Sequence, residues 1–496
     1  MTPFLKEVAE DLVAKFGDDL QYCAIVFNNN RPATYLRKYL ADIIQKPFFS
    51  PAIYTIQEFF AGSVKEKPAD FYLQFFTLLK VYNRLLEEEG LAPMKSSQFF
   101  PLAKIMLSDF AQIDNDLVDA NKLYQEMEDV AQINLEFDYL SKEQYDFLAQ
   151  FWQSYSEGKH KKQQELFIKM WRRMPRLYQL FHEELKTQNY ITNGQVYRHL
   201  ANTDLTTSDF INSFNRGKII FVGFNALTRA EAKVFTHLQE ANKALFYFDV
   251  DTYYLEDELQ EAGLFLRKNF KQLGLKNVFE DDDNGFASEK HVVNVYKVQG
   301  QSAQAKILNQ IIGDEDGNEE VGTTAIILAD EQLLMPALQT INDGIDLNVT
   351  MGFALAGSTV FGLADLWLTT QLELRETNKV AYQTLEAFVT HPLTGLSTKL
   401  KANVQEALLR DNVVNIDLHR LIKQGGIFER FYQKIDDPSR LVEELLSVMK
   451  YMLARLSTQQ SLKKIDADLM VKTIEELTRL NDTLRNFVAG EEFRFV

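Results

Sequence analysis

Short apolar runs that no polar residue interrupts constrain this chain more than anything else in it. Tyr22-Cys23-Ala24-Ile25-Val26-Phe27 is the first, and Lys218-Ile219-Ile220-Phe221-Val222-Gly223-Phe224 carries the second. Ala244-Leu245-Phe246-Tyr247-Phe248 follows close behind. A strand with one wet face alternates apolar and polar residues; an unbroken run needs cover on both faces, which is the signature of a parallel sheet flanked by helices. The intervening segments supply those helices. Phe4, Val8, Leu12 and Phe16 recur on one face of a predicted helix over Thr2 to Phe16, with Thr2 as cap and Pro3 at the first turn. Asn28-Asn29-Asn30-Arg31-Pro32 turns the chain into a helix over Ala33 to Ile44, and Pro51-Ala52-Ile53-Tyr54 reads as another short strand. Thr55-Ile56-Gln57-Glu58 and Thr228-Arg229-Ala230-Glu231 each have capping-box spacing, and the second opens a helix over Ala230 to Ala241.

Between these strands the character changes. From about Asp70 to Leu200 the sequence predicts amphipathic helices, among them Phe71 to Glu89, Pro101 to Phe110 with Pro101 at its first position, and Ser141 to Tyr155 capped by Ser141 and Gln144. The run Glu280 to Gly285 reads as an exposed loop, after which His291-Val292-Val293-Asn294-Val295-Tyr296 predicts a strand. A helix over Gln304 to Ile312 and a strand over Thr323 to Leu328 continue that second α/β unit, and from about Phe361 the pattern is helical to the end. The expected organisation is a first α/β domain over 1–69 with 205–290 and a helical insertion over 70–204. A second α/β domain starts over 291–360, and a helical region fills 361–496.

A chain of 496 residues exceeds one compact core, which fits this division. Its net charge of −17 argues against a surface that binds nucleic acid everywhere, because phosphate affinity is built from Lys and Arg. A local basic groove is still open to it. Lys159-His160-Lys161-Lys162, then Lys169, Arg172, Arg173 and Arg176, and later Arg267-Lys268, are either that groove or solvated helix faces. An acidic balance also suits a subunit that docks on a larger partner. A single cysteine, Cys23, rules out an intramolecular disulfide framework, and its apolar strand makes it a core residue. The first residues lack a basic segment followed by an apolar run, and no stretch reaches the roughly 20 apolar residues of a membrane span. The expected location is cytoplasmic.

No catalytic constellation stands out. A phosphate-binding loop needs closely spaced glycines ending in Gly-Lys-Ser/Thr; Gly217-Lys218 runs into Ile219, Gly158-Lys159 into His160, and Asn28 to Arg31 has no glycine at all. Asp330-Glu331 ends an apolar run as a Mg²⁺-holding pair would, but Asp330 suits better the cap of a helix carrying Leu333, Leu334 and Leu338. Asp249 and Asp251 alternate past a strand end without a third ligand beside them. Glu184-Leu185-Lys186 and Glu231-Ala232-Lys233 have the Glu-x-Lys triplet of a nuclease on helices, where it has no use. The sequence therefore nominates no catalytic residue, no metal ligand and no cofactor.

Several segments together resemble a family. They are Tyr22 to Arg31 with Tyr35-Leu36-Arg37-Lys38-Tyr39-Leu40, Pro51 to Phe59, and Leu107-Ser108-Asp109-Phe110-Ala111-Gln112-Ile113-Asp114. Phe221-Val222-Gly223-Phe224-Asn225-Ala226-Leu227-Thr228-Arg229-Ala230-Glu231, with Phe248 to Asp251, is the most telling, and Asn348 to Gly352 adds to it. In these the chain is similar to the AddB-type half of bacterial AddAB helicase–nucleases, in the long version bearing a PD-(D/E)XK nuclease that is common in Bacteroidetes. The resemblance implies two RecA-like parallel-sheet domains of superfamily 1 helicase type, each with a large helical insertion. It places Asn28 to Arg31 where such helicases touch single-stranded DNA after the second strand, and Thr55 in the next such element. Phe221-Val222-Gly223 falls where Mg²⁺-binding acids would stand and has none, while Asn225 and Thr228 face the strand, Thr228 also serving as a helix cap. Asn28, Arg31, Thr55, Asn225, Thr228, Arg172 and Arg173 are thus the candidate nucleic-acid contacts.

The implied function is an inactivated helicase-like portion of an ATP-dependent helicase and exonuclease acting in double-strand-break repair. Its partners would be a DNA strand or duplex end and a helicase subunit. The family would carry later helicase motifs and a nuclease after the point where this sequence stops, at Val496, so a fragment of a longer chain is expected rather than a natural truncation. The competing expectation is a helix-rich interaction scaffold with no nucleic-acid role.

Overall fold

Ala24–Phe27 forms strand β1, and all four residues are buried. It lies between β2 (Ala52–Thr55) and β5 (Ile219–Val222), with β6 (Ala244–Tyr247) beyond β5, in a four-stranded sheet of order β2-β1-β5-β6. All three pairings are parallel, with Val26 opposite Tyr54 on one side and Phe221 on the other. The computed structural model describes residues 3–124, 161–279, 285–288, 292–313, 324–341, 347–350, 355–411, 414–459 and 464–488. They divide into two units, Met1–Lys290 and His291–Val496, and the sheet belongs to the first.

Two separate cores explain why the apolar runs are unbroken. Cys23, Ile25, Phe27, Ile220, Val222 and Tyr247 point to one face of the sheet. There they meet Val8 and Leu12 of α1 (Phe4–Phe16) and Leu36 and Leu40 of α2 (Arg31–Ile44). The alternate residues Ala24, Val26, Ile219, Phe221 and Phe246 point to the other face. They meet Phe59 and Phe60 of α3 (Ile56–Gly62) and residues of two helices that follow the helical block. Because successive side chains of a strand leave opposite faces, each residue of the run is committed to one of the two cores. Phe221 is the centre of the second core, its ring centroid 4.1 Å from Phe235 and 5.3 Å from Phe246.

The helical block interrupts this sheet between β2 and β5. The chain leaves through β3 (Lys67–Pro68) and returns through β4 (Tyr190–Ile191), and these two strands pair in parallel. Asp70 caps α4 (Phe71–Glu88) through the Leu73 N–H at 2.8 Å. The next helix, α5 (Ser96–Asn115), begins five residues before the expected Pro101, which therefore lies inside it. Pro101 is the sixth residue of this helix, past the four N–H groups that lack partners at its start, so it costs one backbone bond, to the Ser97 carbonyl. Extension over Phe99 offsets that loss, since its buried ring stacks on Tyr82 with centroids 4.7 Å apart. The block continues with α6 (Lys161–Thr187) and α7 (Asn193–Asn202). The helix expected over Ser141 to Tyr155, the Thr2 cap and most of the loop at 280–285 lie outside the described residues.

In the second unit two expected strands are not found. Residues 292–298 and 324–328 belong to no strand, and Val295 and Ile327 are 89% and 91% exposed. An apolar run supplies the faces of a strand, but a strand exists only where a neighbour takes its N–H and C=O groups and helices cover its sides. Among the described residues nothing does either. What the unit does build is helical, as expected for its second part: α10 (Gln301–Gly313), α11 (Leu334–Thr340), α12 (Thr359–Thr377), α13 (Tyr382–Thr390), α14 (Gly426–Tyr432), α15 (Leu441–Thr458) and α16 (Lys464–Val488) are its main helices. Trp367, Phe388, Phe431, Tyr432 and Met449 form its core, and an antiparallel pair, β7 (Lys379–Ala381) with β8 (Asn415–Asp417), closes one side. No described helix is long and apolar enough to cross a membrane.

The double-sided burial sets an expectation. Phe221→Ala opens a void between the sheet and two helices and is expected to cost about 3–5 kcal/mol, read as faster hydrogen exchange at the β1 and β5 amides. An exchange pattern unchanged from wild type would refute it.

Candidate nucleic-acid interface

The order β2-β1-β5-β6 reverses between β1 and β5, since the chain moves outward to β2 from one and to β6 from the other. In an open parallel sheet the crevice outside the carboxyl ends of the strands at such a reversal is the customary ligand site. Here it is formed by the loop after β1, Asn28-Asn29-Asn30, and the loop after β5, Gly223-Phe224-Asn225. Asn28, Asn29, Asn30 and Arg31 are all exposed. The Asn29 side chain accepts from the Arg31 N–H at 3.1 Å, which starts α2, and Asn30 at the cap makes no side-chain bond to it. Across the crevice Gly223 adopts φ +73°, a conformation side chains resist, and its N–H donates to the Tyr247 carbonyl at 2.9 Å.

Asn28 to Arg31 follows the first apolar run, as read from the sequence. The structure puts it after the first strand of the chain, at the reversal itself, where a phosphate loop would sit in a nucleotide-binding fold of this layout. The segment has no glycine to let successive N–H groups converge on a phosphate, and β5 ends in Phe221-Val222-Gly223 with no acid.

Thr55 ends β2 and Thr228 ends the loop after β5, and both are built into capping boxes. The Glu58 N–H donates to the Thr55 hydroxyl oxygen at 3.2 Å, while Thr55 N–H and O–H donate to the Glu58 carboxylate at 2.8 and 2.9 Å. Thr228 and Glu231 repeat the arrangement at the start of α8 (Arg229–Glu240), with distances of 3.3, 2.8 and 2.9 Å. Each hydroxyl therefore has both a donor and an acceptor inside the protein, and both residues act first as caps. Asn225 keeps an exposed side chain, and its carbonyl accepts from Asn269 at 2.7 Å in α9 (Leu264–Lys271). Asn28, Arg31, Thr55, Asn225 and Thr228 thus share one edge of the sheet.

Arg172 and Arg173 do not join them. Both lie on α6 in the helical block, and Arg173, 10% exposed, makes two parallel bonds of 2.6 Å to Glu89. Arg176 beside it pairs with Glu88 at 2.7 Å. Arg267, another residue of the expected basic clusters, is buried and donates to the carbonyls of Tyr254, Asp257, Glu258 and Gln260. These guanidinium groups hold the fold together. The Asp251 carboxylate accepts from the N–H groups of Tyr253 and Phe286 at 2.8 and 2.9 Å, and Asp330 caps the turn before α11 through the Gln332 N–H at 2.9 Å. Among the described residues no group of three or more His, Cys, Asp or Glu side chains is placed to hold a metal ion.

A buried cluster that sequence reasoning did not find ties the block together. Asp114, the last residue of the Leu107 to Asp114 segment, is fully buried on α5. One carboxylate oxygen, Oδ1, accepts from the Tyr178 hydroxyl, from Gln195 Nε2 at 2.7 Å and from Arg198 Nε at 2.8 Å. The Arg198 guanidinium also reaches the carbonyls of Ile113 and Val118 at 2.7 and 2.6 Å. Oδ2 faces His182 Nε2 at 3.6 Å, and His182 Nδ1 donates to the Tyr178 carbonyl at 2.8 Å. Gly194 makes the close approach of α7 possible, because a Cβ there would lie 2.9 Å from Asp114 Cβ and 3.2 Å from Ala111 Cα. Two signals were present in sequence: Tyr178 and His182 at a spacing of four, and Gln195 and Arg198 at a spacing of three, each pair on one helix face. Nothing local says that both faces turn toward the same acid.

Burial pushes the His182 pKa below the ordinary histidine range, and the Asp114 charge offsets only part of that. The folded state therefore disfavours protonated His182. Its contribution to stability is present above the unfolded pKa of about 6.5 and is lost as pH falls toward the lowered folded value.

No protein-family model matches this chain, and no curated protein matches it in sequence.

Two outcomes follow from the Asp114 cluster. Asp114→Ala strands the Arg198 charge in the interior and is expected to cost about 3–5 kcal/mol, measured by urea denaturation of the first unit. His182→Gln is expected to flatten the drop in urea midpoint between pH 7.5 and pH 5.5; a drop as steep as in wild type would show that His182 does not carry it.

Proposed function

We propose that this chain is a helicase-like scaffold of the AddB type, with no nucleotide chemistry of its own, acting at DNA ends in double-strand-break repair. One observation carries the reading: a helical block is inserted between β2 and β5 of a parallel sheet whose reversal point has no glycine loop and no acid. This arrangement supports the reading of a superfamily 1 helicase frame without its nucleotide site. On this reading the first unit is one RecA-like domain with its insertion, and 291–360 begins a second. The chain is cytoplasmic on this reading and works with a helicase subunit. Asn28, Arg31 and Asn225 are the contacts to DNA at the sheet edge, with Thr55 and Thr228 positioning the backbone there.

A second reading is favoured by a specific observation. Arg173, Arg176, Arg198 and Arg267 are engaged inside the protein, in a chain of net charge −17. A surface of that kind suits docking on a partner better than wrapping a duplex. The scaffold role then stands without DNA contact.

Anisotropy of a labelled single-stranded oligonucleotide across a salt series separates the two. Binding whose salt slope falls by about 0.7 in Arg31→Ala fits one phosphate contact at the sheet edge. Absence of binding at low salt leaves the partner-docking scaffold. ATP turnover by the purified chain that disappears in Asp330→Ala would overturn the inactive-site reading altogether.

A further inference from the structure

A groove of about 420 Å³ lies between α8 and α9, opening beside the loop that ends β5. Its wall on α8 carries Arg229, Lys233 and His237 at successive turns, and Glu240 ends the row. Four residues of helix advance about 6 Å, so these side chains form a line along the groove rather than a cluster around one point. Lys268 lies on the α9 wall, with Phe265 one turn before it, 42% exposed. Arg229, Lys233 and Lys268 are exposed, and none is in an ion pair among the described residues. Lys233 donates only to the Asn202 side-chain oxygen, at 3.0 Å. Asn269, nearly fully buried in the same α9 wall, fixes the groove to the Asn225 carbonyl at 2.7 Å.

In a strongly acidic chain, Arg229 and Lys233 one turn apart on the α8 wall and Lys268 on the facing α9 wall make a basic channel. Cations spread along a groove suit an anion that is itself extended. A flat aromatic face among them suits a base, since stacking is tolerant of sequence while the cations follow the backbone. We propose that this groove is the path of a single strand of nucleic acid leaving the sheet edge at Asn225, with its phosphates on Arg229, Lys233 and Lys268 and a base on Phe265. The assignment rests on the nucleic-acid reading above and specifies where the strand runs.

The test uses the full chain and a labelled oligodeoxythymidylate, titrated by anisotropy over a salt series. The Lys233→Gln, Lys268→Gln double variant is expected to reduce the salt slope by about 1.4, the share of two lysines. Phe265→Ala is expected to weaken binding by roughly tenfold, and Phe265→Trp to restore it. Thermal melting checks that each variant folds, and all the substituted side chains are exposed. If wild type binds and these variants bind equally while Arg31→Ala does not, the groove is refuted and the sheet-edge site stands. If deoxythymidine monophosphate competes as well as the oligomer per phosphate, the groove holds a single phosphate and the strand path is refuted. If the full chain binds no strand at low salt, both fall.

Discussion

A carboxylate shut away from water holds three helices of the insertion in one arrangement. Asp114 on α5 takes donors from Tyr178 on α6 and from Gln195 and Arg198 on α7, and Arg198 continues to the carbonyls at the end of α5. A buried charge is costly unless its partners are in place, so the cluster tolerates few alternative packings of these helices. Its position matters because α7 also belongs to the core beneath the sheet, through Val196, Tyr197 and Leu200. The same helix thus faces Asp114 on one side and Phe60 on the other, with the Tyr197 and Phe60 rings 4.6 Å apart. The insertion is thereby fixed to the domain it interrupts.

The sheet edge is exposed by the same construction. Helices cover both faces of the sheet; α3 starts directly after β2 and α8 after the loop that follows β5, with their first turns satisfied by Glu58 and Glu231. The pair of loops at the strand-order reversal is open to solvent at the carboxyl ends. Their chemistry is amide and guanidinium, supplied by Asn28 to Arg31 and Asn225, and the exposed Asp249 follows β6 at the same end of the sheet.

Basic residues illustrate how far a list of charges falls short of an electrostatic surface. Arg172 and Arg173 are adjacent in sequence and look alike as candidates, yet Arg173 is spent on Glu89, a residue far away along the chain. Lys268 and its neighbour Arg267 divide in the same way: one is exposed beside the α8 groove and the other is buried among four carbonyls. Helical periodicity separates such neighbours onto different faces, but it does not say which face meets an acid.

By itself the sequence determined the local grammar. Unbroken apolar runs gave β1, β5 and β6, because each residue of a two-sided strand must be apolar. Thr55 with Glu58 and Thr228 with Glu231 gave helix starts, because both halves of a capping box lie within one turn. Asp330 was legible as a cap for the same reason. Tertiary structure decided what depends on residues distant in the chain. It put the Asn28 to Arg31 loop at the strand-order reversal, extended α5 back past Pro101 so that Phe99 stacks on Tyr82, and assembled the Asp114 cluster. It also left the runs at 292–298 and 324–328 outside any strand, because apolar side chains prepare a strand for burial while only a hydrogen-bonding neighbour makes it one.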